Sequence, residues 1–314
     1  LRQQGPQIGS QQPGTPPTRP GFIGNLQDVR TQRREHTDDR GRTVVDEPGG
    51  RQIVRDRDRT FIQRDEGARF RRFDPGARVE RRGNENFSII NRPGNVQIIT
   101  VTGDDGRLLR RMRRFQDGRE VVLIDNRRRR SDAGFFLNLG PPRFIPPDHY
   151  IVEAASASPD LLFETLEAPP VEPLERAYSL EEIRHNVNLR ARMPRIDLDT
   201  ITFETGSWEI MPEQVGRLEA IADAIKAVLA RHPDEIFLIE GHTDTVGLPE
   251  DNLTLSDRRA ESVAAVLAET YGVPPENLEM QGYGEQYLKV PVEGPQQANR
   301  RVTVVRISPL LAGR

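Results

Sequence analysis

Between Thr43 and Asn126 apolar and polar residues alternate in short runs: Thr43-Val44-Val45, Gln52-Ile53-Val54, Thr60-Phe61-Ile62, Phe87-Ser88-Ile89-Ile90, Val96 to Val101 and Glu120 to Ile124. A period of two marks a β-strand with one face toward solvent. Gly83, Gly94, Gly106 and Gly118 recur every eleven or twelve residues, the interval of one strand plus a tight turn. This pattern predicts an antiparallel β-meander of irregular repeats, solvated and in a single or thinly covered layer. A membrane barrel is disfavoured, because its strands need an apolar outward face, whereas Leu108 to Phe115 carries Arg110, Arg111, Arg113 and Arg114.

The period changes toward the C-terminus. Ile201-Thr202-Phe203 predicts a strand, and Pro212 opens a helix that places Val215, Leu218, Ala222, Ile225 and Leu229 on one face and ends near His232-Pro233. Glu235 to Glu240 is almost continuously apolar, as a central strand is. Ser256 is a good N-cap, with Ala260, Val263, Leu267 and Tyr271 at helical spacing behind it, so a second helix is expected from about residue 257, closed by Gly272 and Pro274-Pro275. Leu278 to Gly282 and Arg301 to Ile307 supply two more strands. The order is β-α-β-α-β-β: an α+β, two-layer sandwich with two helices on a mixed sheet, preceded by the antiparallel β-meander or repeat region.

Four segments follow. Residues 1–40, rich in Gln, Pro and Gly, read as a flexible leader. Residues 41–130 are the arginine-rich β-repeats. Residues 131–195 are a proline-rich connector with two short helices, one opened by Ser158-Pro159 through about Glu167, the other by a capping box at Ser179 to Glu182 and running to about Arg190. They fit a collar on the next domain or spacers equally well. Residues 196–310 form the globular domain.

Composition narrows the picture. The chain has 314 residues, 35% hydrophobic and 30% charged, with mean hydropathy -0.64, so much of it lacks the apolar surface for a dense core. Cysteine is absent, which removes disulfides, zinc–thiolate sites and thiol catalysis. A formal charge of -3 gives no global steering toward nucleic acid or membrane. The chain opens Leu1-Arg2-Gln3-Gln4, so either an export signal has been removed or the chain is part of a longer one.

Candidate chemistry concentrates in Glu240-Gly241-His242-Thr243-Asp244 and in Arg259, fifteen residues after Asp244. Arg258 and Arg259 place two cations where the predicted helix start is already positive, a local conflict of the kind that marks sites. A helix N-terminus with an added guanidinium suits a carboxylate or phosphate, and Asp244 nearby suits an ammonium on the same ligand. The alternative is that Asp244 and Arg259 pair with each other or with solvent. Catalysis by Glu240, His242 and Asp244 is disfavoured, since no nucleophile motif or metal-ligand set accompanies them. Arg110, Arg111, Arg113, Arg114 and Arg127 to Arg130 suit a phosphate-bearing partner, but a charged sheet face balanced by Asp and Glu is favoured, and no nucleic-acid motif accompanies them.

Residues from about Ile201 to Ile307 resemble the OmpA-like C-terminal domain, the peptidoglycan-binding module of outer-membrane proteins, peptidoglycan-associated lipoproteins and flagellar stator proteins. The resemblance rests on Gly-His-Thr-Asp at 241–244, Gly247, Asn252, Leu255-Ser256, Arg259-Ala260, Gly272-Val273, Gly282-Tyr283-Gly284-Glu285 and Asn299-Arg300-Arg301-Val302. It implies that Asp244 takes the ammonium and Arg259 a carboxylate of the diaminopimelate in the peptidoglycan stem peptide, with Thr243, Asn252 and Arg301 helping at the rim. Tyr287 to Pro291 departs from the pattern of many relatives. The function implied is a non-enzymatic, cofactor-free tether on the periplasmic side of the outer membrane, with an outer-membrane component or lipopolysaccharide as a further partner of residues 41–130. The alternatives are a wall-anchored stator or scaffold subunit and an anionic-glycolipid-binding protein acting through the β-repeats. On this reading, removal of residues 1–130 leaves wall binding unchanged.

Overall fold

Gly83, Gly94, Gly106 and Gly118 all adopt positive φ, from +60° to +83°, which L side chains rarely tolerate, and each sits in a turn between successive strands. The computed structural model that shows this describes residues 25–57, 59–73, 76–127, 139–143, 146 and 149–312. Most of the predicted leader, Arg128 to Arg130 and Pro147 lie outside the described residues.

The described residues open with α1 (Leu26–Gln32), capped by the Asn25 side chain, and a four-stranded meander, β1 (Arg34–Thr37), β2 (Thr43–Glu47), β3 (Arg51–Asp56) and β4 (Arg59–Arg64). Helix α2 (Glu66–Phe73) leads to a second meander of five strands, β5 (Arg78–Arg82), β6 (Glu85–Arg92), β7 (Val96–Gly103), β8 (Leu108–Arg114) and β9 (Glu120–Asp125). Both sheets are open and antiparallel, paired in sequence order. Strands β2, β3, β4, β6, β7 and β9 fall on the predicted runs; α1, α2, β1 and β5, short and charged, carried no periodic signal.

The second half holds β10 (Ile151–Glu153), α3 (Pro159–Glu167), α4 (Leu180–His185), α5 (Val187–Arg190), β11 (Arg195–Asp197), α6 (Pro212–Val215), α7 (Glu219–Arg231), β12 (Phe237–Gly241), α8 (Pro249–Glu269), β13 (Leu278–Gly282) and β14 (Val302–Arg306). The mixed sheet runs β10-β11-β14-β12-β13, with β12 parallel to β13 and antiparallel to β14. From β11 onward the order is the expected β-α-β-α-β-β, with β12 an interior strand between β14 and β13 and β14 at the centre of the sheet. Ser158 caps α3, and the capping box at Ser179 and Glu182 is complete; Asn186 divides the second predicted helix into α4 and α5.

Two strand and helix positions differ from the sequence reading. Ile201-Thr202-Phe203 is not a strand; β11 lies earlier, where Asp197 accepts from Thr303 on β14 and pairs with Lys289. Helix α8 begins at Pro249 and not near residue 257, with no side-chain cap.

Sheet faces explain the layers. Phe237, Ile239, Val302 and Val304 point into a core formed with α3, α7 and α8, through Leu162, Ile221, Ile225, Val263 and Leu267. Their alternates Leu238 and Val305 face the other way, where Leu180, Ile183 and Leu189 of α4 and α5, with Leu108, Leu123 and Ile124 of the five-stranded sheet, cover them. The first meander packs Val45, Ile53 and Ile62 onto Leu253 of α8. The predicted solvated β-region is therefore corrected: both meanders bury an apolar face against the C-terminal elements. Among the described residues no helix is long and apolar enough to cross a membrane.

Candidate functional site

Gly241 ends β12, and the chain turns outward through His242, Thr243 and Asp244. The turn is fixed by the backbone: His242 donates to the Arg301 carbonyl at 2.9 Å and Thr243 to that of Gly284 at 2.9 Å. Asp244, 5% exposed, is held by Arg300, whose guanidinium donates to Oδ2, and by the Gln296 amide at 3.2 Å. Asn252, in the first turns of α8, donates to the Asp244 carbonyl at 3.3 Å and to Glu285 at 2.6 Å. Loop 290–296 is tied alongside: Gly294 donates to Thr245 Oγ1 at 2.8 Å, and Asn299 exchanges two 2.9 Å hydrogen bonds with the Val290 backbone. Residues 287–291, where the chain departs from the family pattern, are thus anchored by Asn299 and by Lys289, which pairs with Asp197 and Glu153.

Arg259 lies mid-helix on α8, 4% exposed, and the expected position at a helix N-terminus is corrected by the earlier start of α8. Its Nε donates to the Ser207 carbonyl at 3.0 Å and Nη2 to that of Glu204 at 3.3 Å, and the guanidinium rests 4.9 Å from the Phe203 ring centre. Among the described residues no carboxylate lies within ion-pair distance. Burial, and then Arg300, push this guanidinium down to about 10 against the opposing pull of Asp244. Asp244 and Arg259 therefore feel one another without forming the direct pair, and Arg300 occupies the carboxylate.

The remaining predicted residues divide. Thr243 is buried in the loop with Oγ1 unpartnered. Arg301 turns away from Asp244: it donates to the Tyr287 carbonyl at 3.3 Å, and its Nε lies 4.0 Å from Asp197. Its neighbour Arg300 is the arginine at the site. The Asn299-Arg300-Arg301 run pointed to this place, but the path of the chain between the short turn Gln297–Asn299 and β14 was needed to choose between the two arginines.

The Glu240/His242 pair has a different character. Glu240 meets Arg190 at 2.7 Å; burial opposes its charge, yet Arg190, His242 and Arg195 together hold its carboxyl well below the usual range. His242 Nε2 lies 3.4 Å from that carboxylate, its ring stacks on Tyr283, and burial followed by Arg301 pushes it down to about 4 despite Glu240. A neutral imidazole locked against a masked carboxylate is core structure.

Among the described residues Arg110, Arg111, Arg113 and Arg114 do not make a free cationic patch. Arg111 is fully buried between Glu66 and Glu279, Arg113 donates to Asn277 and to the Pro233 carbonyl, Arg110 faces Asp125, and Arg114 pairs with Glu120.

Residues 202–301 match the OmpA family model. The chain is 40% identical over 99 residues to the outer-membrane lipoprotein YfiB of Pseudomonas aeruginosa, a match covering 30% of this chain and 54% of that protein. It is 35% identical over 89 residues to the peptidoglycan-associated lipoprotein of the same organism, covering 28% and 49%. To YfiB of Escherichia coli it is 31% identical over 116 residues, covering 35% of this chain and 68% of that protein. Some curated relatives are spanned over as little as 26% of their length.

Proposed function

This chain belongs to the OmpA family, and from that premise we propose that it is a non-enzymatic cell-envelope tether that binds peptidoglycan noncovalently at Asp244 and Arg259. The observation that carries the reading is the Arg259 guanidinium: buried, held by two carbonyl oxygens and the Phe203 ring, and without a carboxylate at ion-pair distance among the described residues. A buried cation in that state is stabilised strongly by an incoming carboxylate, because a charge-assisted bond then replaces the missing counter-charge. Arg259, Arg300 and Asp244 together present two positive charges and one negative. That set complements an ammonium flanked by carboxylates, as in the diaminopimelate of a stem peptide, with Asp244 taking the ammonium. Asn252 and Thr243 shape the Asp244 loop from behind. The names of the relatives support a place at the outer membrane, facing the wall.

The test is sedimentation of the full chain with insoluble diaminopimelate-type peptidoglycan, beside Asp244→Ala and Arg259→Met. Both variants are expected to stay folded and to remain in the supernatant. Arg259→Met removes an uncompensated buried charge, so its stability should change by no more than about 2 kcal/mol. Folded variants that sediment like the parent would refute the site.

A further inference from the structure

A sizeable cavity lies away from Asp244 and Arg259. It has a volume of about 850 Å³ and opens between β4, the α4–α5 junction and the 281–287 segment. That size falls within the roughly 300–1,000 Å³ of small-molecule sites. Its wall combines N-terminal and C-terminal elements, Phe61 on one side and Tyr287 on the other, with Gln286 donating across to the Thr60 carbonyl at 2.7 Å.

The lining has a definite chemistry. Three amide side chains commit their N–H groups to protein carbonyls: Gln281 to Ile62 at 3.2 Å, Gln286 to Thr60, and Asn188 to Leu139 at 2.6 Å. Their side-chain oxygens accept no hydrogen bond among the described residues, and Glu285 offers a further acceptor beside the one occupied by Asn252. The basic side chains of the wall, Arg59, Arg184 and His185, have partners of their own. A ligand suited to this cavity is therefore uncharged, rich in O–H and N–H donors, and has an apolar face for Phe61 and Tyr287. Saccharides combine those properties, since ring C–H faces pack on aromatics while hydroxyls donate at the edges.

We propose that this cavity is a saccharide subsite for the glycan that bears the stem peptide. It is linked to the peptide site by the Glu285–Asn252–Asp244 hydrogen-bond path, and the identity of its glycan rests on the peptidoglycan reading above. Because β4 forms one wall, the subsite belongs to the whole chain and is incomplete in the C-terminal domain alone.

The experiment is calorimetric titration of the full chain with a peptide-free N-acetylglucosamine tetramer, with near-ultraviolet circular dichroism as the fold control. The parent should bind; Gln286→Ala, which alters an exposed side chain, and Tyr287→Ala should each weaken binding roughly ten-fold. Asp244→Ala should leave saccharide binding intact while abolishing wall sedimentation. The proposal is overturned if the parent shows no heat up to about 10 mM tetramer, if both cavity variants bind normally, or if Asp244→Ala removes saccharide binding. Saccharide binding by a parent that does not sediment with peptidoglycan would sink the tether reading and leave the subsite standing.

Discussion

Arg51 and Arg259 are both buried guanidiniums at α8, and their surroundings give them opposite states. Burial opposes charge on Arg51, but Glu261 and Asp257 more than offset it, so its pKa stands above the ordinary arginine value. Arg259 has only carbonyls to hold, and its pKa falls. One is a completed ion pair and the other a half-built one. In sequence the two are indistinguishable, because the partners of Arg51 lie more than 200 residues away. The Asp244/Arg259 spacing was legible through family resemblance, whereas the choice of Arg300 over Arg301 required the folded path of the chain just before β14. His242 yields a prediction of its own. Its imidazole titrates near 6.5 when unfolded and near 4 when folded. Between those values the unfolded chain binds the extra proton, so stability falls as pH drops through this window and levels off below it. At about 1.36 kcal/mol per pH unit the full loss across this window is roughly 3–3.5 kcal/mol. Glu240, whose folded pKa is depressed, adds its own loss only below its unfolded value of 4.5. Urea titrations of His242→Gln at pH values between about 7.5 and 4.5 should show a flatter stability profile than the parent; an unchanged profile would remove His242 as the cause.

Helix α8 shows how an element can be hidden from pattern reading. Ser256-Asp257 imitates a capped start, yet Ser256 Oγ donates to the Leu253 carbonyl at 2.8 Å and accepts from the Gly284 amide at 2.8 Å, a side-chain bond made mid-helix. The true first turn, behind Leu248 and Pro249, has no side-chain cap to advertise it. The helix is also buried on its outer side, where the first meander covers a polar stripe of Glu250, Asp251, Thr254, Asp257 and Glu261 that reads in sequence as a solvent face. By contrast β12, β14 and α7 declared themselves through period and continuity. What sets the distance between α8 and its sheet is glycine. A Cβ at Gly241 would overlap the Ser256 carbonyl, and one at Gly282 would overlap the Asp257 backbone. Gly241→Ala should therefore push the helix off β12 and open the main core, at more than about 3 kcal/mol. Gly272→Ala, in the left-handed turn after α8 with open space around it, should be destabilising by only about 1 kcal/mol. Chemical denaturation of the two variants compares them directly; equal midpoints would contradict the close-approach argument.

At the scale of the whole molecule the arginine-rich meanders are bound into the C-terminal OmpA-like unit. Asp257 sits fully buried with Arg51 at 3.0 Å and Arg64 donating to both its oxygens; burial would raise its pKa, but the two arginines hold it well below the usual range. Glu279 is likewise surrounded by Arg111, Arg69 and Arg184, which also share Glu66. Charges of this density read as surface in a sequence, because nothing local reveals that a carboxylate on α8 or β13 is the partner of an arginine on β3, β4 or β8. The expectation that residues 1–130 are dispensable therefore changes. Without them Asp257 loses both described ion partners, Glu279 loses Arg69 and Arg111, Leu253 loses Val45, Ile53 and Ile62, and Leu238 and Val305 lose the part of their apolar cover that Leu108, Leu123 and Ile124 supply. Residues 165–314 alone should aggregate or unfold at much lower urea than the full chain. In the intact chain Arg64→Ala should destabilise by about 3–5 kcal/mol, because it strands a buried carboxylate. Adding Asp257→Asn to that variant should recover a measurable part of the loss, since the group left behind is then neutral. If the double variant is instead as unstable as the sum of the two single changes, the ion pair is not what joins the meanders to the domain, and the apolar contacts at Leu253 and Leu238 carry that role.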